Sequence, residues 1–374
     1  MSLRASTTLI AFALLLSAHA HADDAKSTRK VVLQKVESGY RWKLTQGPIP
    51  MPGAHQVLVR VRAVALNRGD LEMLGPDPGH DLTGLQVASD AAGDIVAVGK
   101  EVTAVQTGAR VTSTYFKSWA DGPPSKERLS AAHGASVDGV LADYVVLEDT
   151  AVVAIPEGLD YAEAATLPTA GLTGWMATLG QRPLTRGDVV VVQGTGGVST
   201  FALQFASAAG ARVIVTSSSD DKLRRAIGLG ARDGINYRRE PDWSQRVRDI
   251  TAGHGADLVV DVGGKSTLPQ SVRALAFSGI LSIVGGLTGY DGEISASALL
   301  EKVARAHGVF VGSRADFLRM NAFIASHRLR PVVDRTFPLE RFDDALKYMQ
   351  QGDFVGKIVL RLDAADAAAG AASK

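Results

Sequence analysis

The stretch Gly194-Thr195-Gly196-Gly197-Val198 holds the residue types and spacing that point most directly to chemistry. It follows four consecutive valines, Val189 to Val192, and precedes a segment in which Val198, Phe201, Ala202 and Phe205 recur at i, i+3, i+4 and i+7. The β-branched run, lacking polar alternation, predicts a strand buried on both faces; the recurrence predicts a helix to Ala209 with one apolar face. Between them Gly194 permits a tight turn, Gly196 lets the backbone approach a pyrophosphate, and N–H groups at the helix start face the anion. The third glycine of such motifs is here Ser199. A tight strand-to-helix turn can also use glycine with no ligand at all, so the surroundings must decide.

Coenzyme choice follows from the next strand. An enzyme that uses NAD normally places Asp or Glu about 20 residues past the turn, accepting hydrogen bonds from the ribose. That place reads Thr216-Ser217-Ser218-Ser219, with Lys222 beyond. Small hydroxyl donors and a lysine would accommodate a 2′-phosphate, so NADPH is expected over NADH. Two other readings stay open: Ser219 and Asp220 fit a helix cap with Lys222 on a solvated face, and Asp220 or Asp221 could reach a ribose. Gly263, Gly285 and Gly286 end strands on the carboxyl edge of the sheet, where ligands bind in such folds, although turns use glycine too.

Composition narrows the classes. The 374 residues are 46% hydrophobic, enough for a large core and two domains. Lys and Arg number 40 against 39 Asp and Glu, which gives no general reason to expect nucleic acid or acidic membranes as partners. No cysteine is present, so disulfides, thiolate catalysis and Cys-ligated zinc are excluded. Arg4, the apolar run Leu9 to Leu16 and Ala18-His19-Ala20-His21-Ala22 predict a signal peptide over residues 1–22, cleaved after Ala20 or Ala22. That implies a periplasmic or secreted protein. The alternative is a start codon placed too far upstream of a cytoplasmic one, and no other apolar run is long enough to span a membrane.

Along the chain, Val31 to about Asp160 reads as many short strands with no long helix. Val57, Val59 and Val61 alternate with Arg60 and Arg62, and Gly93–Gly99 and Gly139–Leu147 add strands, which suggests an all-β, barrel-like domain. Tyr115 to Val137, polar and containing Gly122-Pro123-Pro124, reads as a long surface excursion. Helical sequence runs from Tyr161 through Trp175. After the valine strand, further parallel-type strands are expected at 212–216, 234–237, 257–262, 280–284 and 309–311, alternating with helices such as 221–228 and 243–250. A helix over 341–351 and a strand over 356–360 return to the first domain, and the Ala-rich tail from Asp363 reads as disordered.

The segments Ala65-Leu66-Asn67-Arg68-Gly69-Asp70, Asp90-Ala91-Ala92-Gly93, Pro168-Thr169-Ala170-Gly171-Leu172-Thr173, Gly194 to Val198 and Gly356-Lys357 together resemble the medium-chain dehydrogenase/reductase superfamily, on its zinc-independent, quinone-oxidoreductase-like side. The likeness covers Val31 to Leu362. It implies an α/β fold, a Rossmann doubly wound parallel sheet inserted into a GroES-like β-barrel domain, with a cleft between the two and commonly a homodimer. The barrel parts would be 28–163 and 313–362 and the nucleotide domain 164–312. Zinc alcohol dehydrogenases of the family carry a cysteine shortly before the Asp of the segment containing Asp70, a His-Glu pair where Ser89-Asp90 stands, and a Cys or Asp near Thr169. The thiols and that His are absent, and His55, His80, His133, His254, His307 and His327 are scattered without ligand spacing, so no zinc is expected.

The resemblance further implies that Asn67 lies near the nicotinamide ribose, Thr173 near the nicotinamide, Tyr237 at the 2′-phosphate and Lys357 on the pyrophosphate. Asn67, Asp70, Ser89 and Asp90 become candidates for orienting the substrate, and Tyr115, Phe116 and Trp119 for lining its pocket. Each residue also has a structural explanation, as turn cap, core or surface charge. The expected activity is hydride transfer from NADPH to a quinone, enone or aldehyde, a small-molecule reaction that needs no Lewis acid. The alternatives are a zinc-free alcohol dehydrogenase or enoyl reductase, and an NADPH-binding protein without turnover. The absence of a G-x-S-x-G elbow disfavours a hydrolase.

Overall fold

The four valines form the centre of a six-stranded sheet. Val189–Gln193 is buried at all five positions, flanked by Arg212–Ser217 on one side and Ala256–Asp261 on the other. The computed structural model describes residues 27–76 and 79–362, so the expected leader and tail lie outside the described residues. Every pairing in this sheet is parallel. Across it the strands run Asp233–Asn236, Arg212–Ser217, Val189–Gln193, Ala256–Asp261, Leu275–Ile283 and Arg305–Gly308. Chain order thus reverses between Val189–Gln193 and Ala256–Asp261, and the crevice outside the carboxyl ends of these two strands is where a doubly wound sheet takes a ligand. Helices Gly197–Ala208, Asp220–Gly228 and Trp243–Ile250 cover the sheet as the apolar spacing predicts.

The sixth strand is not Val309–Val311. Val311 takes a left-handed backbone (φ +56°), which ends an extended run, and the pairing uses Arg305–Gly308 instead. The expected helix from Tyr161 through Trp175 is broken into Tyr161–Ala164, a wider π turn at Leu167–Gly171, and Leu172–Ala177. Pro168, which cannot donate the helical hydrogen bond, falls at the start of that turn.

The other domain is a seven-stranded sheet. Its central strand Gln56–Ala65 pairs antiparallel with Asp90–Val98, Tyr144–Glu148 and Lys357–Arg361, so the strand expected over 139–147 is confined to Tyr144–Glu148. Lys357–Arg361, near the end of the described chain, thereby joins strands from its beginning, which makes the nucleotide sheet an insertion. The segment from Tyr115 to Val137 is a surface excursion over 120–127, which includes the exposed Gly122-Pro123-Pro124, but its two flanks are anchored. Phe116, Trp119 and Ala132 are buried against Phe201 and Phe205 of the nucleotide domain and Phe317 of helix Arg314–His327, fastening the domains together. The two prolines are exposed as their polar company predicts, while burying a side chain as large as Phe116 or Trp119 contributes about 1.5–3 kcal/mol to holding the flank.

Candidate active site

Sheet register assembles the site. Ala65 is opposite Asp90 on one neighbouring strand and Val359 on the other, so Leu66-Asn67, Ser89-Asp90 and Lys357 emerge side by side at one end of the sheet. After Asn67 the chain enters the short helix Arg68–Glu72, and the Asn67 N–H donates to Asp70 Oδ2 at 2.6 Å. Ser89 follows Ala88, a non-glycine residue in the left-handed region (φ +65°). The loop holding that conformation packs so close that a Cβ on Gly139 would stand 2.1 Å from the Ala88 carbonyl oxygen. Strain of this kind persists only where the surroundings over-determine it.

Asp90 is fully buried and its carboxylate is shared. Ser89 Oγ donates to Oδ1 at 2.6 Å, Thr169 Oγ1 donates to the same oxygen at 2.5 Å, and the Thr169 N–H donates to Oδ2 at 3.1 Å. The π turn brings Thr169 here. Asn67 Nδ2 donates to Ser89 Oγ at 3.3 Å, extending a network of amide, hydroxyls and carboxylate. Thr173 is buried four residues further on, in helix Leu172–Ala177.

Lys357 reaches the turn with its stem, where a Cβ on Gly197 would be 2.4 Å from Lys357 Cδ. It donates to Asn67 Oδ1 at 2.5 Å and to the Leu66 carbonyl, inside the Asp70–Asp90 cluster. Gly356 N–H donates to Thr195 O at 2.9 Å, which fixes this lysine relative to the glycine turn. Burial lowers the Lys357 pKa, opposed by Asp90 and Asp70. Burial, reinforced by Asp90, pushes the Asp70 carboxyl up to about 7, against the Asn67 N–H and Lys357, which favour its ionised form.

The turn itself suits a dinucleotide. Gly194 has φ +72°, and a Cβ added at Gly196 would meet nothing within 4 Å, leaving open space where the backbone is expected to approach phosphate. Ser199 in place of the third glycine is buried, and its Oγ donates to Gln193 O at 2.7 Å. The close helix packing that this glycine usually serves falls to Gly174, whose added Cβ would be 2.8 Å from Phe201 Cβ. Thr195, Gly197 and Val198 complete the turn and the start of Gly197–Ala208.

At the end of the second strand, Ser217 is buried, and the Tyr237 N–H donates to its carbonyl at 3.1 Å. The Tyr237 side chain is 42% exposed, open to a ligand beside Ser217 and Ser218. Ser219 caps helix Asp220–Gly228, accepting from the Lys222 N–H at 3.5 Å, as the cap reading expects. The Lys222 ammonium bonds the Gly352 carbonyl, and Asp353 is 3.7 Å away. Asp220 Oδ1 accepts from Asn236 Nδ2 at 2.8 Å and Arg239 Nη2 at 2.6 Å.

Gly263 follows Ala256–Asp261, and Gly285 and Gly286 follow Leu275–Ile283, so all three lie on the carboxyl edge of the sheet. At Gly286 an added Cβ would be 2.6 Å from the ring of the exposed Tyr290, which would have to move aside. Sequence reasoning missed the network beneath them. Asp261, fully buried, accepts from Gln193 Nε2 at 2.9 Å, Ser271 Oγ at 2.5 Å, Thr267 Oγ1 at 2.8 Å and the Gly263 N–H at 3.0 Å. It ties the two strands that flank the crevice. Its only sequence signal is a charged residue ending an otherwise apolar strand.

Tyr115 and Phe310, one from each domain, line a cavity of about 650 Å³ together with Leu82, Leu85, Leu129 and Ala132. Phe116 and Trp119, also expected there, are core residues instead. Burial, reinforced by the charges of Asp90 and Asp70, pushes the Tyr115 hydroxyl up to about 12. Volumes of 300–1,000 Å³ are usual for small-molecule sites. Among the described residues no group of three or more His, Cys, Asp or Glu side chains is arranged to hold a metal.

Residues 53–157 match the family model for the alcohol dehydrogenase GroES-like domain and residues 197–326 that for zinc-binding dehydrogenase. A zinc-type alcohol dehydrogenase-like protein of Schizosaccharomyces pombe is 40% identical over 326 residues, covering 82% of this chain and 91% of that one. The chain belongs to the medium-chain dehydrogenase/reductase superfamily. A quinone oxidoreductase of Pseudomonas aeruginosa is 34% identical over 242 residues, 64% of this chain and 67% of its own. The solved structure of an NAD-dependent alcohol dehydrogenase, 30% identical, superposes with a TM-score of 0.80 over 89% of this chain and 100% of that one. With these relatives the protein is an NAD(P)-dependent oxidoreductase of the GroES-like and Rossmann architecture.

Proposed function

We propose that this member of the superfamily reduces a quinone, enone or aldehyde with hydride from NADPH, without zinc. The observation that carries the reading is the Asn67–Ser89–Asp90–Thr169 network. Zinc takes thiolate, imidazole or carboxylate ligands. Here two hydroxyls and the Thr169 N–H donate to the Asp90 carboxylate, an amide joins through Ser89, and both oxygens of Asp90 are committed to hydrogen bonds. Gly194 and Gly196 would hold the pyrophosphate, and Ser217, Ser218 and Tyr237 the phosphate-bearing ribose. The bound nicotinamide would supply the hydride. Engagement of Asp220 by Asn236 and Arg239 supports NADPH over NADH, because it draws that carboxylate away from a ribose.

The chain's own contribution is placement. Tyr115 and Phe310 would hold an apolar acceptor in the cavity that they line, and such positioning supplies much of the rate in hydride transfer. Assembly as a homodimer belongs to the same proposal: Arg305–Gly308 is an edge strand, and Phe277, Leu300 and Val303 are exposed. The test is calorimetry with both reduced coenzymes, then loss of nicotinamide absorbance with quinones, enones and aldehydes after chelation of metals. Tighter NADPH binding and turnover that survives chelation are expected. Activity that disappears on chelation and returns with zinc refutes the reading.

A further inference from the structure

We propose that Asp353, in the barrel domain, tunes the choice between NADPH and NADH by competing with the coenzyme's 2′-phosphate for Lys222. The inference rests on the reading of the glycine turn as a nicotinamide dinucleotide site and adds to it a positioning residue that acts through the lysine. Lys222 and Arg225 stand three apart on helix Asp220–Gly228, hence on one face, and both reach the barrel domain. The Lys222 ammonium donates to the carbonyl of Gly352, the left-handed residue (φ +72°) that ends helix Phe342–Gln351, and Asp353 Oδ1 is 3.7 Å away. A cation is favourably placed at a helix C-terminus. Arg225 pairs with Asp334 at 2.8 Å.

The two ties differ in how readily they break. The Asp334 side chain is only 7% exposed and also accepts from the Tyr348 hydroxyl at 2.7 Å and the Val355 N–H at 3.1 Å, so withdrawing Arg225 would leave a buried carboxylate without its cation. Gly352 is exposed, as is 85% of the Asp353 side chain, and water can take the place of the lysine there. Arg225 is therefore the fixed tie and Lys222 the releasable one. A lysine ammonium on its flexible stem suits that part.

Position supports the competition. Lys222 lies in the first turn of the helix that follows Ser217-Ser218-Ser219, at the end of the second strand, where a doubly wound sheet holds the ribose. At the other end of the same barrel segment, the Gly356 N–H donates to Thr195 O and Gly356 bridges to Gly196. Gly352 to Gly356 thus spans the two places where the coenzyme's phosphates would be held. The carboxylates beside Lys222 on its own helix are engaged elsewhere, Asp220 by Asn236 and Arg239 and Asp221 by Arg224. Binding of NADH leaves Lys222 with Gly352 and Asp353. Binding of NADPH draws it away, and Asp353 decides how much that costs.

Calorimetric affinities of the full-length protein for NADPH and NADH, without acceptor, test this. D353N should tighten NADPH binding by about two- to fivefold, the span of an exposed ion pair, and leave NADH unchanged. D353E keeps the charge and should restore most of the wild-type value. K222M should weaken NADPH by about tenfold or more, as the loss of hydrogen bonds from a cation to an anion implies, with a much smaller effect on NADH. In the K222M background D353N should change nothing, and this non-additivity separates competition for the lysine from a general change in surface charge.

Equal gains for the two coenzymes in D353N, or a gain for NADPH that persists in K222M, overturn the proposal. Its failure differs from that of the reading beneath it. A wild type that prefers NADPH while both substitutions are silent keeps the preference and sinks the competition. A wild type that prefers NADH, with both substitutions moving NADPH alone, keeps the competition and sinks the NADPH preference.

Discussion

Replacing Asp70 by Asn should make the protein more stable, and increasingly so as the pH rises from 4 to 7. Asp70 is buried in the first turn of Arg68–Glu72, and its carboxyl is pushed from 3.8 to about 7, by burial first and by Asp90 next. The folded state therefore holds a proton that the unfolded chain releases between those values. Stability from this group is fully present below pH 3.8 and is lost as the pH climbs through 7. A displacement of about 3 units corresponds to roughly 4 kcal/mol, order of magnitude. Asn removes the charge and keeps an oxygen that can accept the Asn67 N–H, so packing is preserved.

Lys357 gives the opposite slope at higher pH. Its pKa is depressed below 10.5, so stability from it rises with pH between the depressed value and 10.5. Urea denaturation of wild type and D70N at pH 4, 5.5, 7 and 8 measures the difference, and effects common to both chains cancel. The advantage of D70N should be near zero at pH 4 and approach about 4 kcal/mol at pH 7–8. Curves that stay parallel within about 1 kcal/mol across the series would refute the argument that an ionised Asp70 is costly to bury.

Two more predictions concern packing and export. Gly174→Ala puts a Cβ 2.8 Å from Phe201 Cβ and 3.0 Å from Ala202 N, so helix Leu172–Ala177 must move off Gly197–Ala208. A loss of about 1–3 kcal/mol in urea denaturation is expected, and unchanged stability would show that the helix pair gives way freely. Expressed with its leader in a bacterium, the chain should be recovered from the periplasm beginning at His21 or Asp23, as N-terminal sequencing would read. An intact Met1 in the cytosolic fraction refutes the export reading of residues 1–22.

Local signals reached some features and not others. The valine run with the glycines after it was legible because burial on both faces and a tight turn each impose a local composition. The edge strand was misplaced because β-branched Val309 and Val311 look more strand-like than Arg305–Gly308, while backbone conformation and pairing decide against them. The length Tyr115–Val137 looks polar overall, and only the aromatic surface of the other domain makes Phe116 and Trp119 core residues.

Sequence alone determined the superfamily, the doubly wound sheet, the glycine turn and the absence of any thiol chemistry, since each depends on residue types within a short window or on composition. The tertiary structure decided where Lys357 lies. Its ammonium meets Asn67 only because strand Lys357–Arg361 pairs with Gln56–Ala65 across 290 residues of chain, and because Gly356 is held to the coenzyme turn by Thr195. No periodicity or motif encodes such a meeting. It follows from strand register between distant segments, which a linear reading can suggest only once the sheet has been assembled.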